Sequence, residues 1–248
     1  MEIDFMSQIH KSSKRDYLAR VNDTEYPKEK ATKLAREWGY DYWDGDRRIN
    51  YGGYKYIEGR WEKIARKMIE TYDLKPGSKI LDVGCGNGVL TSEISKFFKY
   101  TTGIDLSETG IDFAQKLNNE KLNFENISLD EMIEKKKKFK FITSFEVIEH
   151  QYLPDDFLNK IYQLLEDDGI FLVTTPYNGY IKSLIISILG KHDWHFNPLW
   201  RHGHIKFFSI NTLTSILNDC NFQVIKKRFS GRFYPVSCSM MFLTKKTK

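Results

Sequence analysis

Two carboxylates and an imidazole stand close together in the segment Phe145-Glu146-Val147-Ile148-Glu149-His150. The apolar run 139–145 before them predicts a buried strand, so these side chains follow the carboxyl end of a strand. A turn or helical start there would place Glu146, Glu149 and His150 on one side. Carboxylate oxygens with one imidazole nitrogen could hold a cation such as Mg²⁺, and a histidine can also remove a proton from a hydroxyl group. Both chemistries point to the same candidate catalytic residues.

A glycine-rich segment, Leu81-Asp82-Val83-Gly84-Cys85-Gly86-Asn87-Gly88, comes earlier in the chain. An apolar run stops at the glycines and a helical pattern follows, which predicts a strand, a tight turn and a helix N-terminus. The third glycine comes one residue earlier than in the dinucleotide-binding fingerprint. Asp82 suits a ligand with a positively charged amino group. The next strand ends in Asp105, which could accept hydrogen bonds from ribose hydroxyls.

The elements that must position these residues alternate between strand and helix. The alternation predicts a parallel sheet with right-handed crossovers, in which ligands bind at the carboxyl ends of the strands. The predicted strands are 79–84, 100–104, 122–126, 139–145, 169–174, 222–229 and 236–244, and the predicted helices are 61–72, 88–98, 107–118, 129–135, 154–165, 180–190 and 210–219.

The Asp82–Gly88 and Asp105 motifs resemble motif I and the acidic second motif of class I S-adenosylmethionine (SAM) methyltransferases. The resemblance implies an α/β, Rossmann-like fold with a seven-stranded, mostly parallel sheet, an antiparallel terminal hairpin and an N-terminal lid extension. Another Rossmann-like nucleotide binder is the alternative. The implied cofactor-binding residues are Asp82, Gly84, Gly86, Asn87 and Gly88 at the methionine end, Asp105 and Leu106 at the ribose, Ile127, Ser128 and Phe145 around the adenine, and Arg60 at the cofactor carboxylate.

The E-x-x-E-H pattern resembles the metal site of ubiquinone-pathway O-methyltransferases and of small-RNA 2′-O-methyltransferases. This resemblance implies Glu146, Glu149 and His150 as metal ligands, with His204 of the segment 201–209 as the fourth. Many relatives carry the same pattern without a shown metal. His150 acting as a general base or substrate contact without metal, and a purely structural role, therefore remain open.

Residues 39–61 crowd tyrosines and tryptophans among glycines and charges. Such a segment suits a lid over a pocket, although an N-terminal subdomain packed on the core is the alternative. We predict a helical and aromatic extension with the lid at 1–75 and a SAM-binding catalytic domain at 76–248, which contains a substrate-cap insertion at about 177–205.

The apolar stretch 180–190 within that insertion has three interpretations: a pocket cap, an interfacial helix with weak membrane-surface contact, or plain packing. The candidate acceptor-binding residues are Tyr54, Tyr177, His195 and His204.

Composition excludes several classes of protein. The 248 residues are 41% hydrophobic, which supports a real core, and the net charge of +5 is mild. We therefore expect a small-molecule acceptor and no nucleic-acid partner. Three dispersed cysteines do not make a disulfide framework, and neither an export signal nor a stretch of about 20 apolar residues is seen. The expected location is the cytoplasm.

The first functional hypothesis is a SAM-dependent O-methyltransferase acting on a small polar acceptor. A sugar, nucleotide-linked or phosphate-type group in bacterial capsule or lipopolysaccharide biosynthesis is favoured, because the N-terminal segment resembles methyltransferases of surface-polysaccharide pathways. The alternatives are a polyprenyl-quinol O-methyltransferase, an RNA 2′-O-methyltransferase and a non-catalytic SAM-binding module.

Overall fold

The computed structural model describes residues 23–25, 27–36, 62–72, 74–196, 203–231 and 233–247. The predicted lid, with Tyr54 and Arg60, lies outside the described residues, and the predicted domain boundary at 75 stays a prediction. Among the residues described, no helix is both long and apolar enough to cross a membrane.

Strands and helices alternate through most of the described chain. The strands are β1 (Lys79–Val83), β2 (Tyr100–Ile104), β3 (Leu122–Glu125), β4 (Phe139–Phe145), β5 (Leu165–Pro176), β6 (Phe222–Ser230) and β7 (Ser239–Lys246). The helices are α1 (Lys28–Arg36), α2 (Glu62–Tyr72), α3 (Val89–Ser95), α4 (Glu108–Gln115), α5 (Leu129–Glu134), α6 (Pro154–Leu164), α7 (Tyr180–Ile188), α8 (His192–Phe196) and α9 (Ile210–Asp219).

The seven strands form one sheet in the order β3-β2-β1-β4-β5-β7-β6. The pairs β1–β2, β1–β4, β2–β3 and β4–β5 are parallel. Strand β7 is antiparallel to both β5 and β6. The predicted mostly parallel sheet with an antiparallel terminal pair is therefore confirmed.

Serine side chains fix where three of the helices begin. Ser107, Ser128 and Ser209 each accept a hydrogen bond from the first turn of α4, α5 and α9, respectively. Such caps satisfy backbone N–H groups that have no partner within the helix. Helices α4 and α5 thus start close to the ends of β2 and β3, and those two connections are short.

The sheet is covered on both faces. One face buries Ile142 and Phe171 against side chains that include Leu158 of α6 and Leu213 of α9. The other face packs against α2 and α3 and buries their apolar side chains Ala65, Met68 and Ile94. Because the strands are covered on both sides, the ligand site is left to the strand ends.

The observed elements differ from the predicted ones mainly at their ends. Strand β5 starts at Leu165, directly after α6, instead of at the predicted residue 169. Leu165 is buried and pairs with Phe139, and this packing outweighs the local preference. Helix α8 was not predicted, and β7 begins at Ser239 instead of residue 236.

After β4 the chain enters a short 3₁₀ helix, Ile148–His150. Glu146 has a φ of 55°, in the left-handed region, and this turns the chain away from the strand. The Ile148 side chain is fully buried in the core beneath the sheet edge. Ile148 therefore anchors the segment that carries the candidate catalytic residues.

We expect Ile148→Ala to lower the free energy of unfolding by about 2–5 kcal/mol, because it leaves a cavity in the core. The control is Ile188→Ala on α7, where the side chain is 74% exposed. The control should stay within about 0.5 kcal/mol of the parent protein. Urea unfolding followed by circular dichroism measures both, and equal losses in the two variants would contradict the anchoring role.

Candidate functional site

The glycine turn, residues 84–88, is tied to the end of β2. The N–H groups of Gly84 and Cys85 donate to the Ile104 carbonyl at 2.9 and 3.1 Å, and the N–H of Gly86 donates to Asp105 Oδ2 at 2.8 Å. The turn and the acidic residue that follows the next strand therefore form one structure.

Two positions of the turn require glycine, because of their backbone angles and because of the side chains beside them. Gly84 and Gly88 have φ values of 76° and 73°, which side chains disfavour. A Cβ atom at Gly84 would lie 2.4 Å from Val147 Cγ2, and one at Gly88 would lie 2.5 Å from the Phe124 ring. The backbone can approach a ligand here because no side chain stands between them.

Asp105 is held in place by two backbone donors. Its Oδ1 accepts from the Ser107 N–H at 2.8 Å, and its Oδ2 accepts from Gly86. Burial raises the pKa of its carboxyl, and the backbone hydrogen bonds oppose that rise. Each oxygen keeps lone-pair capacity for a further donor, so Asp105 fits the predicted role of accepting ribose hydroxyls.

Asp82, which the sequence predicts at the cofactor, has its carboxyl hydrogen-bonded inside the fold. It is 2% exposed, and its two oxygens accept from the hydroxyls of Thr91 at 2.5 Å and Thr143 at 2.7 Å. Burial raises its pKa to about 6 despite these hydrogen bonds. The carboxyl of Asp82 thus links β1 to Thr91 of α3 and to Thr143 of β4.

Other predicted cofactor contacts border the turn. Asn87 accepts at 3.4 Å from the Val89 N–H, Ser128 caps α5 and Leu106 is 77% exposed. Ile127 and Phe145 are half-buried near the carboxyl ends of β3 and β4. These positions lie at the ligand-binding edge of the sheet.

Glu149, His150 and His204 come together at that same edge. One ligand atom from each lies within 4.8 Å of the others. His204 Nε2 is 3.8 Å from Glu149 Oε1, and the His150 and His204 rings meet edge-on with centroids 5.0 Å apart. The backbone N–H groups of Ile205 and Lys206 donate to the Glu149 carbonyl, which brings the His204 segment to this place.

The electrostatics of this group are unusual. Glu149 is fully buried, and neither carboxyl oxygen has a hydrogen-bond partner among the described residues. Burial, followed by the neighbouring Glu146, raises its pKa well above the usual range. Burial lowers the pKa of His204 to about 4, so its imidazole is neutral at neutral pH. Buried polar groups without partners are rare and commonly have a function.

Glu146 lies outside this three-residue group. Its Oε1 accepts from the Thr174 hydroxyl at 2.8 Å, and the Ser239 side chain is near enough to lower its pKa. Burial raises its pKa to about 7. The structure therefore brings together three of the four predicted metal ligands and places the fourth between β5 and β7.

Two predicted acceptor contacts follow β5. Tyr177 is buried against the rings of Phe229 and Tyr234, and burial raises its pKa. His195 Nε2 lies 3.3 Å from Asn178 Oδ1, which connects α8 to the end of β5.

Sequence reasoning missed Thr91, Thr143, Val147 and Thr174. Each of them looked like an ordinary strand or helix residue, and only the pairing of distant segments shows its contacts.

A family model for the methyltransferase domain matches residues 54–227, well over half of the chain. The chain belongs to this family. It is a SAM-dependent methyltransferase, and the glycine turn with Asp105 provides a backbone cradle that fits the cofactor.

Two ubiquinone biosynthesis O-methyltransferases are similar to this methyltransferase in sequence. The one from Pelagibacter ubique is 28% identical over 212 residues, covering 80% of this chain and 84% of the relative. The mitochondrial one from Schizosaccharomyces pombe is 26% identical over 216 residues, covering 85% and 75%.

A solved structure of magnesium protoporphyrin IX methyltransferase from Synechocystis, with bound S-adenosylhomocysteine (SAH), superposes with a TM-score of 0.59 at 14% identity. The match covers 94% of this chain and all of that one. It shows that the two proteins share a fold.

We expect Gly84→Ala to weaken SAM binding about tenfold or more, because the left-handed φ and a Cβ atom 2.4 Å from Val147 Cγ2 would force the turn out of the position in which it would hold the cofactor. The new Cβ also displaces Val147. Gly77→Ala is the matched control, because nothing lies within 4 Å of its Cβ position. Calorimetric titration with SAM measures both. Equal affinity in the two variants would show that the turn does not hold the cofactor.

Proposed function

We propose that this methyltransferase transfers the methyl group of SAM to a phenolic hydroxyl of a quinol-type acceptor that carries an apolar tail. The observation that carries the proposal is the Glu149–His150–His204 group at the carboxyl edge of the sheet. The similar ubiquinone biosynthesis O-methyltransferases support oxygen as the methylated atom. They favour the polyprenyl-quinol alternative over a polysaccharide acceptor.

The cofactor supplies an electrophilic methyl group on a sulfonium ion. The residues that would hold it are the glycine turn and Asp105, whose Oδ2 accepts from the Gly86 N–H of that turn and whose Oδ1 accepts from the Ser107 N–H. Val147, which packs directly against Gly84, connects this pocket to the acceptor group. Alignment of donor and acceptor is a large part of catalysis of a displacement reaction.

His150 is the group that removes the proton from the acceptor hydroxyl. It is half-buried at the sheet edge, and His204 packs edge-on against its ring. Burial lowers the pKa of His204 to about 4, so its imidazole adds no charge beside His150 at neutral pH, and burial raises the pKa of the Glu149 carboxyl well above its usual range. Together they orient His150 as a general base.

The group does not fit Mg²⁺. Two of its three ligand atoms are imidazole nitrogens, whereas Mg²⁺ prefers oxygen ligands in octahedral geometry. The second carboxyl that the sequence assigned to the metal, Glu146, is bound to Thr174. We therefore assign no step to Mg²⁺ and give proton removal to His150.

Exposed apolar side chains are frequent in the segments that follow the strands at this edge of the sheet. Nearly all large apolar side chains that the described residues leave exposed follow the carboxyl ends of β2, β4, β5 and β6; Tyr100 and Ile225 are the exceptions. Exposed apolar patches of this kind mark binding surfaces. Those at the edge are Leu106, Tyr152, Leu153, Tyr180, Ile181, Leu184, Ile185, Ile188, Leu189, Ile205, Phe207, Phe233 and Tyr234.

This surface favours an acceptor with a hydrocarbon tail over a sugar nucleotide. The exposed face of α7 also agrees with the interfacial helix that the sequence left open, through which a lipid-like acceptor would reach the site.

Three acceptors test the proposal: a catechol with a short isoprenoid tail, the same catechol without the tail, and a nucleotide sugar. We expect SAH release with both catechols, and a lower KM for the tailed one, since each buried CH₂ is worth about 0.8 kcal/mol. Ile188→Ala should raise the KM of the tailed catechol only. Preferential turnover of the nucleotide sugar would overturn the proposal.

We expect His150→Ala to lower kcat by about 100-fold or more, which is the usual contribution of a general base. His192→Ala, an exposed histidine of α8, is the control and should keep its kcat. Chelation with EDTA should leave turnover of the parent enzyme unchanged. Loss of activity on chelation that Mg²⁺, Mn²⁺ or Zn²⁺ restores would contradict the assignment of His150 as the sole base.

A further inference from the structure

Glu146 occupies an unusual position for a carboxylate next to an acceptor site. Its φ of 55° is uncommon for a residue with a side chain, so the surrounding structure must hold it there. Its N–H donates to the Thr174 hydroxyl oxygen at 3.0 Å and to the Thr174 carbonyl at 3.3 Å. The same hydroxyl donates back to Glu146 Oε1 at 2.8 Å. One residue of β5 thus holds both the backbone and the side chain of Glu146.

A second strand approaches the carboxyl. The Ser239 side chain of β7 and Lys182 of α7 are near enough to lower its pKa, and Ser239 pairs with Pro176 in the antiparallel ladder. The carboxyl therefore lies toward β5 and β7, with its Oε1 accepting from Thr174 of β5.

Three of the four residues that follow Glu146 belong to the site or contact it. Val147 occupies the space beside Gly84, and Glu149 and His150 belong to the acceptor group. Because the chain direction changes at Glu146, its backbone angle decides where all three side chains lie. The Glu146 carboxyl does not belong to the group that Glu149, His150 and His204 form.

We propose that Glu146 is a positioning residue: by binding Thr174 it fixes the turn that places Val147 against the cofactor pocket and His150 at the acceptor. It contacts neither the acceptor nor a metal. The inference rests on the proposed role of His150, but it also makes predictions for cofactor binding that do not depend on the acceptor.

Three variants separate this role from a chemical one. Glu146→Ala removes the side-chain contact with Thr174, Glu146→Gln keeps the size and hydrogen-bonding capacity without a carboxyl, and Thr174→Val removes the partner hydroxyl while leaving Glu146 in place. We expect Glu146→Ala to lower kcat with the tailed catechol by about 100-fold, the effect of a misplacement near 1 Å. Glu146→Gln should recover most of that loss. Thr174→Val should reproduce the loss in part.

The double variant Glu146→Ala/Thr174→Val should be little worse than Glu146→Ala alone, since both changes break the same interaction. SAM affinity, measured by calorimetry, should fall in Glu146→Ala and return in Glu146→Gln. The histidine ring signals of ¹³C-labelled protein should show His150 shifted in Glu146→Ala and unshifted in Glu146→Gln. Thermal melting confirms that each variant is folded.

Two results would overturn the inference. The first is a folded Glu146→Gln protein as inactive as Glu146→Ala with an unshifted His150 signal, which would mean that the carboxylate itself does chemistry. The second is a Thr174→Val protein with full activity and unchanged SAM affinity. If no catechol is a substrate, the proposed function fails, while the affinity and ring-signal readouts still decide the role of Glu146.

Discussion

The contact between Val147 and Gly84 joins the two halves of the site. A methyl group of Val147 stands where a side chain at position 84 would begin. The glycine turn and the segment after β4 can therefore approach each other only while residue 84 has no Cβ. One segment carries the backbone that would hold the cofactor, and the other carries His150. Their separation, on which alignment of a methyl donor and a hydroxyl depends, is set by this packing.

Several buried carboxyl groups lie near that contact. Their hydrogen-bond partners indicate which of them have a structural role and which has a chemical one. Asp82 is bound by Thr91 and Thr143, and Glu146 is bound by Thr174. Both have their hydrogen bonds made within the fold, as buried polar groups usually do. Glu149 is the exception among the described carboxyls at this edge. A protein keeps such a group at a cost in stability, and a functional site is where that cost is expected.

The sheet, the glycine turn and the place of Asp105 after β2 could be predicted from the sequence, because apolar runs and glycine spacing are local signals. It also indicated Glu149 and His150 as a unit and suggested His204. It could not show how His204 reaches them, since this depends on Ile205 and Lys206 donating to the Glu149 carbonyl. The sequence could not show the direction of the Glu146 side chain either. Because Glu146 and Glu149 are three residues apart, the sequence suggested that they lie on the same side of a turn or helix. The left-handed φ at Glu146 instead directs its carboxyl toward Thr174 of β5.

A crystal structure of the complex with SAH is the most direct test of this arrangement. We expect ribose hydroxyls in hydrogen-bonding contact with Asp105 and the homocysteine end beside the Gly84–Val147 contact, with its sulfur facing the pocket that His150 borders. A nucleoside bound away from Asp105, or a sulfur directed away from His150, would contradict the claim that this packing contact aligns donor and acceptor.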